Sequence, residues 1–167
     1  PRTLFPTHAL PISMENNFDV EYVRINRENP NNCTDFMDLG YEYMREVAPD
    51  KSLEIHNKFL NSIINRQNEK ERWLIGLKVK DNMIGFAHFK IDQSERVGWG
   101  YILEFYVNPG FRRKDLGRNL YGFLKQEFIN CGIRDIWLSA DKVNGEPFWF
   151  SIGFIDTGET ENDQKIL

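Results

Sequence analysis

Between Val107 and Phe128 the chain reads VNPGFRRKDLGRNLYGFLKQEF. A Pro-Gly turn runs into three consecutive cations, Arg112, Arg113 and Lys114, and then into Gly117 and Arg118. From there Leu116, Leu120, Phe123, Leu124 and Phe128 recur on one side of a helical period. The first N–H groups of a helix have no intrahelical acceptor and carry the positive end of its dipole. A glycine lets a bulky anion approach that backbone, and neighbouring guanidinium and ammonium groups add charge-assisted bonds. The chemistry implied is capture of a phosphate-like anion at a helix start. On spacing alone, solvated cations at a helix end explain the same residues equally well.

A second candidate lies just upstream. Glu104 interrupts the apolar strand Tyr101-Ile102-Leu103-Glu104-Phe105-Tyr106-Val107. A carboxylate among apolar neighbours is expected to have a raised pKa, suited to accepting a proton through water. An ion pair on an open sheet face is the plain alternative. His88 is expected on the same strand face as Phe86 and Lys90, in a structural role. The three histidines, His8, His56 and His88, have no ligand spacing, and the two cysteines, Cys33 and Cys131, form no Cys-x-x-Cys. No metal site is expected.

The elements that must position these groups follow from periodicity. Phe18–Ile25 alternates as a strand, and Asn26–Asn32 is expected to be loop. Helical spacing runs from Thr34 through Phe36, Leu39, Tyr43, Met44 and Val47, and Ala48-Pro49-Asp50 ends it. Ser52 caps a second helix carrying Leu53, Ile55, Phe59, Leu60, Ile63 and Ile64. Trp73–Val79 and Met83–Ile91 form an antiparallel hairpin about a turn at Asp81-Asn82. Trp99–Val107 is a further strand, and the helix after it stops at Cys131-Gly132. Asp135–Ala140 is an apolar strand, Gly145–Ile152 a short aromatic helix or turn, and Gly153-Phe154 leads into a closing strand. Helices between strands, with an antiparallel hairpin, predict an α/β (α+β) fold with a mixed central sheet.

The chain has 167 residues, 41% hydrophobic and 28% charged, enough for one domain with one core. A net charge of −4 lacks the basic surplus of a general nucleic-acid binder. No apolar run reaches the length of a membrane span, so neither nucleic acid nor membrane is an expected partner. Two cysteines in 167 residues are consistent with a reduced, cytoplasmic setting. Residues 1–13 hold three prolines and no period, and read as a leader or appended segment; residues 14–167 read as the single domain.

The order Val107-x-Pro109-x-Phe111-Arg112-Arg113-Lys114-x-Leu116-Gly117-Arg118-x-Leu120 closely resembles the acyl-coenzyme A signature of the GNAT superfamily of N-acetyltransferases. A second landmark, an aromatic pair before Gly-Phe, stands at Phe148-Trp149-Phe150-Ser151-Ile152-Gly153-Phe154. The resemblance covers the order of elements from about Phe18 to the C-terminus. It implies a single acyltransferase domain with a mostly antiparallel sheet of about six to seven strands, splayed near Val107. It implies acetyl-CoA as co-substrate and a primary amine, of a small molecule or a peptide, as acceptor, in a monomer or homodimer. It assigns the pantetheine arm to backbone groups of the segment Phe105, Tyr106 and Val107. Pyrophosphate falls to the loop of Arg112, Arg113, Lys114, Asp115, Leu116, Gly117 and Arg118. Asn144, Phe148 and Trp149 are expected beside the coenzyme, although counting back from Trp149 puts the family's Asn at Lys142. Glu42, Glu46, Asp50 and Glu54 fall near the expected acceptor site. Glu104 is the candidate base.

Two departures stand out. Asp115 occupies the family's first loop glycine, placing a carboxylate beside the phosphates. Trp149 stands where many members have a tyrosine that reprotonates the leaving thiolate, and an indole N–H is no general acid. A catalytically silent acyl-CoA-binding or regulatory module is therefore the rival reading. A phosphate-binding domain unrelated to CoA is a weaker third.

Overall fold

The computed structural model describes residues 18–167, so the expectation for residues 1–13 lies outside the described residues. The elements are β1 (Val20–Arg24), α1 (Pro30–Val47), α2 (Leu53–Asn65), β2 (Arg72–Val79), β3 (Asn82–Ile91), β4 (Gly100–Val107), α3 (Leu116–Asn130), β5 (Ile136–Ala140), α4 (Gly145–Ser151), β6 (Thr160–Glu161) and β7 (Gln164–Ile166). They build one sheet of order β1-β2-β3-β4-β5-β7-β6. Only β4 and β5 run parallel, joined by the α3 crossover; the other pairs are antiparallel.

Alternation along the strands divides the interior in two. On one face Leu77, Phe89, Ile102 and Leu138 meet Leu120, Leu124 and Phe128 of α3 and Trp149 of α4. On the other, Leu74, Phe86 and Tyr106 meet Phe36, Leu39 and Met44 of α1 and Leu60, Ile63 and Ile64 of α2. The site therefore lies where a strand shared by both cores, β4, ends between them.

Three boundaries differ from the sequence reading. α1 begins at Pro30, not Thr34: Asn29 caps it by accepting from the Asn32 N–H at 3.4 Å, and Pro30 takes the first turn, where no N–H is needed. The β2–β3 turn falls on Lys80-Asp81, both at positive φ (49° and 66°), one residue earlier than expected. No strand follows Phe154 directly; the chain closes instead with the short β6–β7 hairpin. Among the described residues no helix is long and apolar enough to cross a membrane, and no three His, Cys, Asp or Glu side chains gather as a metal site requires.

Candidate active site

β4 is bulged. His88 of β3 faces Glu104 and Phe89 faces Ile102, which leaves Leu103 as an extra residue on β4. The bulge resets the alternation, so that Ile102 and Phe105, three apart, both join the α3 core, while Tyr106 joins the α1–α2 core. It also coincides with the parting of the strands. β4 pairs with β5 only at Gly100, Tyr101 and Ile102. From Leu103 to Val107 the β5 side of β4 has no strand partner, and a cleft of about 710 Å³ opens there.

Eleven of the residues assigned to the coenzyme line that cleft: Phe105, Tyr106, Val107, Arg112, Arg113, Asp115, Gly117, Arg118, Asn144, Phe148 and Trp149. Tyr43, Glu46 and Val47 from the end of α1 close its other side. One wall is aromatic: Phe105 stacks on Phe148 at 5.5 Å and meets Trp149 edge-on at 4.9 Å. Trp149, 5% exposed, also packs on Tyr121 and Phe154.

The start of α3 is built to leave donors free. Arg113 and Asp115 both sit at positive φ, 64° and 61°. Neither the backbone N–H groups of Arg113–Asp115 nor those of Leu116, Gly117 and Arg118 find an acceptor among the described residues; the first to do so is Asn119, bonded to the Asp115 carbonyl at 3.0 Å. The Asp115 carboxylate makes no capping bond. It is 65% exposed and lies 3.8 Å from the Arg118 guanidinium. Gly117 keeps the loop close to the aromatic wall: a Cβ there would come within 3.2 Å of the Phe148 ring. Asp141 shapes the opposite lip, accepting the N–H groups of Val143, Asn144 and Gly145 and so holding Asn144 on the cleft wall. Lys142 is not on that wall.

Several side chains stand elsewhere than expected. Lys114 turns away from the cleft and lies over the rings of Phe18 and Phe111. Leu116 is core, so only its N–H is available to a ligand. Arg112 is a clasp: its Nε donates to the Val107 carbonyl at 2.8 Å, its Nη2 holds Glu46 of α1 at 2.8 Å, and its plane lies over Tyr106. Glu42 accepts from the Asn108 amide, whereas Asp50 and Glu54 are exposed partners of Lys51 and Lys58. Burial, reinforced by Glu46, pushes the Tyr106 phenol above its ordinary pKa, and burial with Glu104 and Glu46 pushes Tyr43 higher still.

Glu104 does not sit among apolar neighbours. Its Oε2 is hydrogen-bonded to Nδ1 of His88, and it is not itself on the cleft wall. His88 is 2% exposed, and its Nε2 lies 2.9 Å from Nη1 of Arg72, which is held in turn by Glu69 at 2.7 Å. The sequence reading of His88 missed this partnership. The signal was the hairpin, but the Leu103 bulge determines which residue of β4 His88 meets.

Residues 33–149 match the model of the acetyltransferase (GNAT) family, and the chain belongs to that family. Comparison with curated proteins found no match. Among solved structures, the fold is similar to that of the PaiA N-acetyltransferase of Thermoplasma acidophilum in complex with coenzyme A: TM-score 0.68, 18% identity, 89% of this chain and 96% of that one. A predicted acetyltransferase of Clostridium acetobutylicum with acetyl-CoA gives 0.69 and 19%, covering 85% and 94%. AAC(6')-Iy in complex with the bisubstrate analogue CoA-S-monomethyl-acetylneamine gives 0.65 and 15%, covering 85% and 95%.

Proposed function

We propose that the protein transfers the acetyl group of acetyl-CoA to a primary amine of a small molecule or peptide. The observation that carries this reading is the cleft itself. It runs from the free N–H groups at the start of α3, along the unpaired edge of β4, to Tyr43 and Glu46 of α1. A pyrophosphate fits the first part, where Arg113 and Arg118 add charge and Gly117 keeps the backbone open. The pantetheine arm fits the second, where β4 offers backbone groups in place of a neighbouring strand. Bound acetyl-CoA supplies a thioester carbonyl for attack.

The chain's own residues then have three tasks. Backbone N–H near Val107 polarises the carbonyl. Glu104, through a water, takes the proton of the incoming ammonium, so that the free amine forms the new C–N bond as the C–S bond breaks. The leaving thiolate takes, through a water in the cleft, the second proton that the nitrogen sheds as the amide forms, since position 149 offers no phenol. The neighbours whose names specify aminoglycosides support small-molecule amines as one acceptor class.

Trp149 supports one second reading, a CoA-binding module without turnover. The two are separated in sequence. A thermal shift with CoA, against inorganic pyrophosphate as control, tests the coenzyme site. Ligand at about 100-fold over its dissociation constant should add about 2.7 kcal/mol of stability, and no shift at millimolar acetyl-CoA would overturn both readings. Thiol release from acetyl-CoA with ethylamine, lysine and a short peptide bearing a free N-terminus tests transfer. A shift without thiol release across a broad set of amines would favour the silent module.

A further inference from the structure

The line Glu69–Arg72–His88–Glu104 runs inward from an exposed acid to the candidate base, and its two middle members are buried. Its chemistry is more constrained than a row of polar contacts suggests. A guanidinium only donates hydrogen bonds. With Arg72 Nη1 at 2.9 Å, the Nε2 of His88 must present its lone pair. The ring proton is then on Nδ1, where it points at Glu104 Oε2. Glu69 accepts from the Nε of Arg72 and His88 from its Nη1, so the guanidinium is held at two points.

We infer that Arg72 and His88 are positioning residues for Glu104: Arg72 sets the tautomer of His88, and His88 holds one oxygen of Glu104 so that the other faces the water that carries the acceptor's proton. This rests on the reading of Glu104 as base. The proton leaves the ammonium nitrogen, passes through the water to the free carboxylate oxygen, and makes a neutral acid whose other oxygen still accepts from Nδ1–H. His88 does not itself take the proton, because its one lone pair is committed to Arg72. The charged groups beside this line are Arg66, which shares Glu69 with Arg72, and Arg24, which donates to the Arg72 carbonyl.

The tautomer is tested without any acceptor. Long-range ¹H–¹⁵N spectra of the histidine-labelled chain, assigned with His88→Gln, should show His88 protonated at Nδ1 alone, and Arg72→Met should move it toward the Nε2–H or doubly protonated form. Finding wild-type His88 protonated at Nε2 would overturn the inference whatever the activity. Thiol release from acetyl-CoA with the best of the three amines named above tests the consequence. His88→Phe should lower kcat about ten- to a hundredfold while KM for acetyl-CoA stays within about twofold, because part of the effect of a general base is lost. His88→Asn, whose amide can donate from near the Nδ1 position, should restore a substantial part. Equal kcat in His88→Phe and wild type, or no difference between Phe and Asn, would reduce the line to a structural clamp. If Glu104→Gln retains full kcat while the His88 spectrum is as expected, the base assignment fails and the tautomer lock stands.

Discussion

Asp115 occupies the position where the resemblance calls for glycine, and the structure explains why glycine belongs there. Its φ of 61° lies in the left-handed region, which disfavours a side chain by roughly 1 kcal/mol, less for aspartate than for most residues. Replacing it with glycine relieves that strain but removes an acid from the positive end of α3, where it contributes about 0.3–1 kcal/mol. These nearly cancel, so the melting temperature of the free protein should hardly change. Binding is the sensitive quantity. Two like charges about 4–8 Å apart repel by roughly 2–4 kcal/mol at an effective dielectric near 20. With the carboxylate 65% exposed and the Arg118 guanidinium 3.8 Å away, most of this is screened. A residue of about 0.6–1.4 kcal/mol corresponds to roughly three- to tenfold in affinity. Asp115→Gly should therefore tighten CoA binding by that factor, and by more at low salt than at high, since Arg118 is also released to the phosphates. Calorimetric titration at two salt concentrations reads both. A gain equal at both salts would assign the effect to backbone freedom and refute the charge argument. Weaker binding would mean that the carboxylate organises the loop.

Gly117→Glu should remove detectable CoA binding while the circular dichroism spectrum persists. The new Cβ displaces the Phe148 ring by a few tenths of an ångström, costing about 1 kcal/mol, and the carboxylate fills the phosphate space; unchanged affinity in the folded variant would refute the site. Arg112→Met should cost about 1–2 kcal/mol in urea unfolding, by releasing α1 from the end of β4, and should disturb the acceptor side more than the coenzyme side; a variant that loses CoA affinity first would make Arg112 a phosphate ligand after all. Asp92 is fully buried, and although burial alone would raise its pKa, the N–H groups of Arg96 and Ser94 and the Ser94 hydroxyl lower it to about 2. A depressed acid stabilises the fold above its unfolded pKa near 3.8 and loses that contribution as pH falls toward 2. Asp92→Asn should thus cost about 2 kcal/mol at pH 7, with the gap between variant and wild type closing between pH 4 and pH 2; a gap independent of pH would refute this origin.

Much of this architecture was legible because it is local. The capped second helix, the β2–β3 hairpin and the α3 stripe each follow from residues within about twenty positions of one another. The start of α1 was equally local. Asn29-Pro30 is a cap followed by a first-turn proline, and reading the Asn-rich segment as loop overlooked it. The closing strand was misread because Gly153-Phe154 ends α4 without starting a strand, and the β6–β7 hairpin has only two and three residues.

What could not be read is the direction in which charged side chains turn, and here Arg112 and Glu104 make the same point from opposite sides. Three adjacent cations before a helix look interchangeable in sequence. In the structure Arg112 is drawn 66 positions back to Glu46, Lys114 lies over Phe18 and Phe111, and Arg113 is left lining the cleft. A neighbouring acid or ring decides each case, and of these Glu46 and Phe18 are far away in sequence. Glu104 looked isolated because its partner His88 stands on the neighbouring strand, in a register altered by the one-residue bulge at Leu103. The same bulge lies where β4 leaves β5, so it both opens the edge that can take the pantetheine arm and turns Glu104 toward His88. Without the bulge, regular register would put Leu103, not Glu104, opposite His88 and turn Phe105 to the other face of the sheet. One residue of register therefore couples the proposed coenzyme cleft to the candidate base.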